Sequence, residues 1–267
     1  MSKLKKNKRR GDYLQQEAYR ISVKASASDI DLFGHMRLSA LLQIMQNMAT
    51  EHAEILGFGG TFMQEQYNAF WLMARTSLSF TQSITAKDEL EIYTTHRGVG
   101  KGVTIFRDYD FYVDGKQIGQ ATTAWVLVEI TQKKIMKPTG FAELVTSAKP
   151  EKLKEVVPEK VRFPEVLEDV MTRTCTYSDT DINRHMNNTK YADIALDALG
   201  FEQFAGQYIA DVQINYLTEC FPGNTLSLCT AQQTDKASET STHFVLGKHE
   251  NEEACFAFRL QMRGETV

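Results

Sequence analysis

Asp181, Asn183 and His185 stand two residues apart, and Glu219 follows on a later apolar stretch. Together they are the groups that hydrolysis of an acyl bond needs. A carboxylate can activate water, an imidazole can carry its proton, and an amide can orient either. The two-residue spacing predicts an extended segment that presents all three side chains on one face. The segment runs into Asn187 and Asn188, good capping residues, so the box is expected against a helix N-terminus whose free N–H groups can hold an oxyanion. Asp and Asn before a helix are also routine caps, and a single His is often structural. Spacing alone leaves both readings open.

A repeat separates them. Residues 28–36 read SDIDLFGHM and residues 178–186 read SDTDINRHM, a constant offset of 178 − 28 = 150. Downstream, Ala74, Leu78, Phe80 and Leu90 recur as Ala210, Ile214, Tyr216 and Leu226, an offset of 210 − 74 = 136. Repeats of this kind mark a duplicated unit, here with a shorter loop in the second copy. The copies differ where chemistry would need them to agree. Asn183 replaces Phe33, and Glu219 replaces Ser83. If a site needs all four groups, only the second copy has them.

The elements that must position these groups follow one order in each copy. A short alternating stretch (19–25; 171–177) predicts a strand, the Asp-x-Asp…His-Met box a loop, and a helix comes next. In the first copy Leu41, Met45, Met48, Ala49, Ile55 and Leu56 recur at helical spacing before Gly57. In the second, Tyr191, Ile194, Ala198 and Leu199 precede Gly200. Glycine just past a helix suits a left-handed cap. Four β-type stretches follow, two of them joined in the first copy through Asp114-Gly115, a tight-hairpin step. The aromatics on these stretches, Trp71, Phe106, Phe111, Trp125, Phe244, Phe256 and Phe258, are expected in the core. The fold class is therefore α+β: a tandem (double) hotdog, each copy a long helix wrapped by an antiparallel sheet.

The domain plan has four parts. Residues 1–14 are a basic N-terminus, with six basic and no acidic residues in its first ten positions; such a run is a solvated terminus or an electrostatic handle. Residues 15–144 form the N-terminal unit. Residues 145–168 are a Pro- and charge-rich linker, since four of the five prolines (Pro138, Pro150, Pro158, Pro164) lie in and around it. Residues 169–267 form the second unit.

The bulk properties exclude several classes. A chain of 267 residues with 42% hydrophobic and 24% charged residues needs no metal or disulfide to build a core. A net charge of −4 argues against nucleic acid as a partner. No apolar stretch is long enough for a membrane span. Cys175, Cys220, Cys229 and Cys255 show no metal-ligand spacing or disulfide framework, so no metal site is expected and the chain reads as cytoplasmic. Two-fold association into a homodimer is common among such proteins.

The string SDTDINRHMNNTKY and the later NYLTEC resemble the plant-type acyl-acyl-carrier-protein thioesterases, whose C-terminal hotdog carries a D-x-N-x-H-V-N-N-x-K-Y box and a later Y-x-x-E-C. The resemblance in architecture runs from about Gln15 to Arg263. It implies catalysis by Asp181, Asn183, His185 and Glu219 without a cofactor, with a fatty acyl group on acyl carrier protein as substrate. The N-terminal copy would then shape the acyl pocket, with Met45, Met48, Phe70 and Trp71 as candidates for its wall. Met186 replaces the usual valine and Ile194 a tryptophan, which leaves the accepted chain length undetermined. Basic candidates for meeting an acidic carrier are Arg97, Lys101, Lys133, Lys134 and Lys137. Cys220 is the rival to Glu219, since Cys-His-Asn is a nucleophilic set on other folds. On a strand the two adjacent side chains face opposite sides, so only one meets His185, and Glu219 is favoured. Competing functions are an acyl-coenzyme A hydrolase of the same fold, a hotdog dehydratase, and a non-catalytic acyl-binding module.

Overall fold

A computed structural model describes residues 18–99, 102–138, 157–235 and 240–265. The basic N-terminus, Lys101 and the linker up to residue 156 lie outside these residues.

The first copy comprises β1 (Tyr19–Lys24), α1 (Leu38–Leu56), α2 (Gly60–Tyr67), β2 (Ala69–Phe80), β3 (Glu89–Val99), β4 (Ile105–Val113), β5 (Lys116–Glu129) and the short β6 (Ile135–Met136). The second comprises β7 (Glu168–Thr174), α3 (Lys190–Leu199), β8 (Gln207–Tyr216), β9 (Thr225–Asp235), β10 (Thr240–His249) and β11 (Ala254–Gly264). One antiparallel sheet runs β1-β3-β4-β5-β2-β8-β11-β10-β9-β7, with β6 added on β5. Read outward from the β2–β8 junction, each half has the same order, so two hotdogs share one sheet.

The strand registers obey the offsets seen in the sequence. Val23 pairs with Leu90 in the first copy and Arg173 with Leu226 in the second, displaced by 150 and 136. At the junction Ser77 pairs with Gln213, and 77 + 136 = 213, so equivalent residues face each other on the pseudo-two-fold axis. Gln213 Nε2 donates to Ser77 Oγ there at 2.5 Å. Gln213 Oε1 accepts from Glu159 N (3.1 Å) and Asn215 Oδ1 from Val161 N (2.9 Å), which pins the end of the linker across the sheet.

Both helices end at the glycines, Gly57 in the left-handed cap conformation (φ 82°, ψ 20°) and Gly200 with positive φ but extended ψ (φ 80°, ψ 141°). A positive φ costs glycine no Cβ clash. Asp114 (φ 50°) and Gly115 (φ 73°) form the β4–β5 hairpin turn. The two helices differ in length: α1 has 19 residues and α3 has 10, where Gly200 stops it and a 3₁₀ turn at Phe201–Phe204 follows. The first copy also has α2, whose Met63 packs with Leu56, Phe58, Ile105 and Leu127 in a second apolar cluster. Of the aromatics assigned to the core, Phe111, Phe244, Phe256 and Phe258 are buried. Trp71 and Trp125 instead line a cavity.

Candidate active site

The box of the second copy is a turn rather than the extended segment its spacing suggested. Asp181 Oδ1 accepts from Asn183 N at 2.8 Å, and Asp181 O accepts from Arg184 N at 3.0 Å. Arg184 then takes φ 64°, and Asp181 N donates back to His185 O at 3.1 Å. An aspartate that bonds the backbone two residues on nucleates a turn, and that local bond wins over alternation. Asp181 Oδ2 also accepts from Asn187 Nδ2 at 3.2 Å, so Asp181 is the organiser of the loop. Asn187 Oδ1 in turn accepts from Thr189 N and Thr189 Oγ1, at 2.9 and 2.8 Å, just ahead of α3. The Asn187 N–H is taken by Asp179 O. The Asn188 N–H makes no hydrogen bond among the described residues, and Asn188 lines the cavity. Of the two amides expected at the helix N-terminus, the one at Asn188 is the available donor.

His185 Nδ1 lies 3.2 Å from Met186 O, a contact that places the Nδ1 proton there and leaves Nε2 as the acceptor. Nε2 faces Glu219 Oε1 at 3.8 Å. That separation exceeds a hydrogen bond and suits a bridging water. Asn183 is exposed beside them. Glu219 sits in the loop after β8, not on a strand, and its side chain is 44% exposed. Cys220 is fully buried in the main core, and its carbonyl accepts from Met186 N at 2.7 Å. Contact with Cys255 and burial push the Cys220 thiol up, which keeps it protonated. The loop turns the two neighbours apart, one to the cavity and one to the core.

The first copy repeats the turn of this scaffold: Phe33 N to Asp31 Oδ1, Asp31 N to His35 O, and Met36 N to Ile84 O, where 84 + 136 = 220. Its histidine is differently placed. His35 Nε2 lies 2.6 Å from Glu265 Oε1, and Ser83 Oγ donates to the same oxygen at 3.2 Å. The carboxylate missing from the first copy is thus supplied from the end of the second. The close contact leaves no room for a water.

A cavity of about 900 Å³ joins the two copies. Asp181, Asn183, His185 and Glu219 line it from the second copy, and α1, β2, β4 and β5 from the first. Phe70 and Trp71 are on its wall. Met45 and Met48 are not: both are buried in the core beneath α1, and Met45 O accepts from Tyr109 Oη. The cavity face of α1 is Gln46, Ala49, Thr50 and Ala53, spaced i, i+3, i+4, i+7. The small residues within the apolar stripe were the signal for this face, since alanine leaves space where methionine fills it. Ile182, Leu217 and Phe221 form an exposed apolar rim at 95%, 48% and 46%. The cations expected to meet a carrier divide. Arg97 is bound in a two-point ion pair by Asp108 and is only 12% exposed, so it holds β3 to β4. Lys133 and Lys134 are exposed, and Lys133 Nζ lies 5.1 Å from the Phe70 ring at the cavity.

Two family models match the chain: the acyl-ACP thioesterase N-terminal domain over residues 15–140 and the acyl-ACP thioesterase C-terminal domain over residues 168–260. The chain belongs to the acyl-ACP thioesterase family. It is 26% identical over 213 residues to the chloroplastic dodecanoyl-(acyl-carrier-protein) hydrolase of Cinnamomum camphora, an alignment that covers 72% of this chain and 53% of that one. It is 22% identical over 260 residues to oleoyl-acyl carrier protein thioesterase 2 of Arabidopsis thaliana, covering 86% and 69%. The chain thus spans about half to two thirds of the length of these relatives. In fold it is similar to an acyl-ACP thioesterase from Bacteroides thetaiotaomicron (TM-score 0.80, 22% identity, 95% of this chain and 99% of that one). It is equally similar to a putative oleoyl thioesterase from Lactobacillus plantarum (TM-score 0.80, 19% identity, 94% and 98%). The double hotdog is the fold these proteins share. Among the described residues no helix is long and apolar enough to cross a membrane.

Beneath α1, His52 Nδ1 lies 2.8 Å from Arg107 Nη1, and both side chains are buried. Burial, and then the Arg107 charge, lower the His52 pKa to about 4, and the same two causes with His52 itself lower that of His96. The folded state therefore keeps these rings neutral where the unfolded chain, with a histidine pKa near 6.5, takes up protons. Folding stability is full above about pH 6.5 and falls as the pH drops toward about 4. Thermal unfolding between pH 7 and pH 4 should show a falling midpoint that His52→Gln partly flattens. An unchanged slope in that variant would assign the acid sensitivity elsewhere.

Proposed function

We propose that this chain hydrolyses the thioester of a medium or long fatty acyl group on acyl carrier protein, releasing the free acid for fatty-acid metabolism. One observation carries the reading: the second copy sets an imidazole and a carboxylate 3.8 Å apart, unpaired but close enough for one water to bond both, at the rim of an apolar cavity. His185 Nε2 takes a proton from a water held between it and Glu219, and the resulting hydroxide attacks the acyl carbon. The Asn188 N–H stabilises the oxyanion. On collapse the C–S bond breaks, and the imidazolium returns its proton to the departing thiolate. Asn183, exposed at the rim, orients the bound water or thioester, while Asp181 positions the loop. The acyl chain occupies the cavity of the first copy. The exposed rim with Lys133 and Lys134 is the face offered to an acidic carrier.

Two variants test the division of labour. Glu219→Gln is expected to lower kcat by about 10–100-fold, because the water keeps an amide oxygen but loses the charged acceptor that polarises it. Cys220→Ala should keep kcat close to that of the unaltered enzyme, because a buried protonated thiol is no nucleophile. An inactive Cys220→Ala enzyme that remains folded would reverse the assignment. Rates on one acyl group attached to carrier protein and to coenzyme A decide the carrier.

A further inference from the structure

Arg107 is a buried cation on the cavity wall that an unsubstituted alkyl chain cannot satisfy. It lies mid-strand on β4, paired in register with His96 and Thr123, and is 2% exposed. Its Nη1 donates toward His52 Nδ1 (2.8 Å) and Thr94 Oγ1 (3.2 Å). A guanidinium has five N–H donors. Among the described residues no acceptor meets Nε or Nη2, and no carboxylate pairs with Arg107. The adjacent Asp108 acts on it through space but makes no bond to it, because strand alternation turns that carboxylate to the other side, where Arg97 and Thr122 hold it. Burial and the Arg107 charge keep His52 and His96 neutral, so the side chains on its own side of the strand, His52, His96 and Thr94, offer it no negative charge.

The same cavity carries a second unmet group. Gln46 Oε1, on the cavity face of α1, is buried without a hydrogen-bond partner. A buried cation and a buried amide oxygen each lose free energy unless something bonds to them. Saturated alkyl would displace water from both and replace none of its bonds.

We propose that the acyl group this cavity takes carries an oxygen on its chain, a hydroxyl, oxo or carboxylate oxygen, that accepts from Arg107. A hydroxyl answers both unmet groups, accepting from the guanidinium and donating to Gln46 Oε1. A carboxylate forms the stronger, two-point bond to Arg107 alone. The inference rests on the chain's being a hydrolase of acyl thioesters and specifies the acyl part.

The test uses the full chain with carrier-protein thioesters of matched length, each unsubstituted, hydroxylated or terminally carboxylated, across a ladder of lengths. At the preferred length an oxygenated chain should exceed the unsubstituted one in kcat/KM by about 10–100-fold, the usual worth of a hydrogen bond to a charged group. Arg107→Met should abolish or reverse that order. Gln46→Leu, a milder change, should lower the preference for the hydroxyl and spare that for the carboxylate. The free acids give a readout without turnover: oxygenated acids should raise the unfolding temperature more than unsubstituted ones, and the difference should vanish in Arg107→Met. Unsubstituted chains that match or beat oxygenated ones at every length overturn the proposal, as does a preference that survives in folded Arg107→Met. Absence of all hydrolysis with retained, Arg107-dependent protection by oxygenated acids would instead overturn the hydrolase reading alone.

Discussion

His185→Ala is expected to lower kcat on acyl-carrier-protein substrates by about 10²–10⁴-fold, the range typical of losing a general base. His35→Ala, the same change in the other copy, should leave kcat near its original value. The contrast comes from surroundings rather than residue type. Both histidines follow an aspartate-nucleated turn, and both have a carboxylate opposite Nε2. At 2.6 Å from Glu265, His35 is locked in a direct pair; at 3.8 Å from Glu219, His185 is unpaired, and one water beside the two on the large cavity can bond both. Steady-state rates of the two variants, with circular dichroism to verify folding, decide the matter. Equal losses in both would mean that the copies share the work.

The second large effect is on stability. Phe256→Ala should destabilise the fold by about 3–5 kcal/mol, the usual cost of emptying a buried aromatic site. The Phe256 ring is 0% exposed and packs on Tyr191 of α3 with centroids 5.2 Å apart. It lies over Gly247, where an added Cβ would come within 2.2 Å of the ring, so β10 has glycine to admit the ring. The site cannot collapse to fill the void, because three elements of the sheet and α3 hold its walls. Phe201→Ala, at a side chain 60% exposed, should change stability little. Denaturant unfolding of both variants measures the difference; a small loss for Phe256→Ala would show that α3 and β8 repack around it.

Much of the architecture was legible along the chain. The duplication followed from two offsets, 150 and 136, and both reappear as strand registers. Glycine stops, the Asp-Gly turn and the alternating stretches are local signals, set by backbone sterics within a few residues, and they survive folding because nothing distant opposes them. The difference between copies at Asn183 and Glu219 was equally visible, since substitution at matched positions needs no coordinates.

What tertiary structure alone decided are the encounters between distant segments. Glu265 reaches His35 across the pseudo-two-fold junction, from a position that no offset pairs with it. Met45 and Met48 share the periodicity of α1 with Ala49 and Ala53, yet the methionines meet the sheet and the alanines meet the cavity. Periodicity identifies an apolar face and not what lies opposite it. Arg107 reads as one charge in an alternating strand until the fold removes it from water and places it, with no carboxylate bonded to it, on the wall of the large cavity. Sequence determined which groups exist in which copy, because composition and local turns are written in order along the chain. Packing decided which of them are free to act, because burial and separation depend on segments brought together only when the sheet closes across β2 and β8.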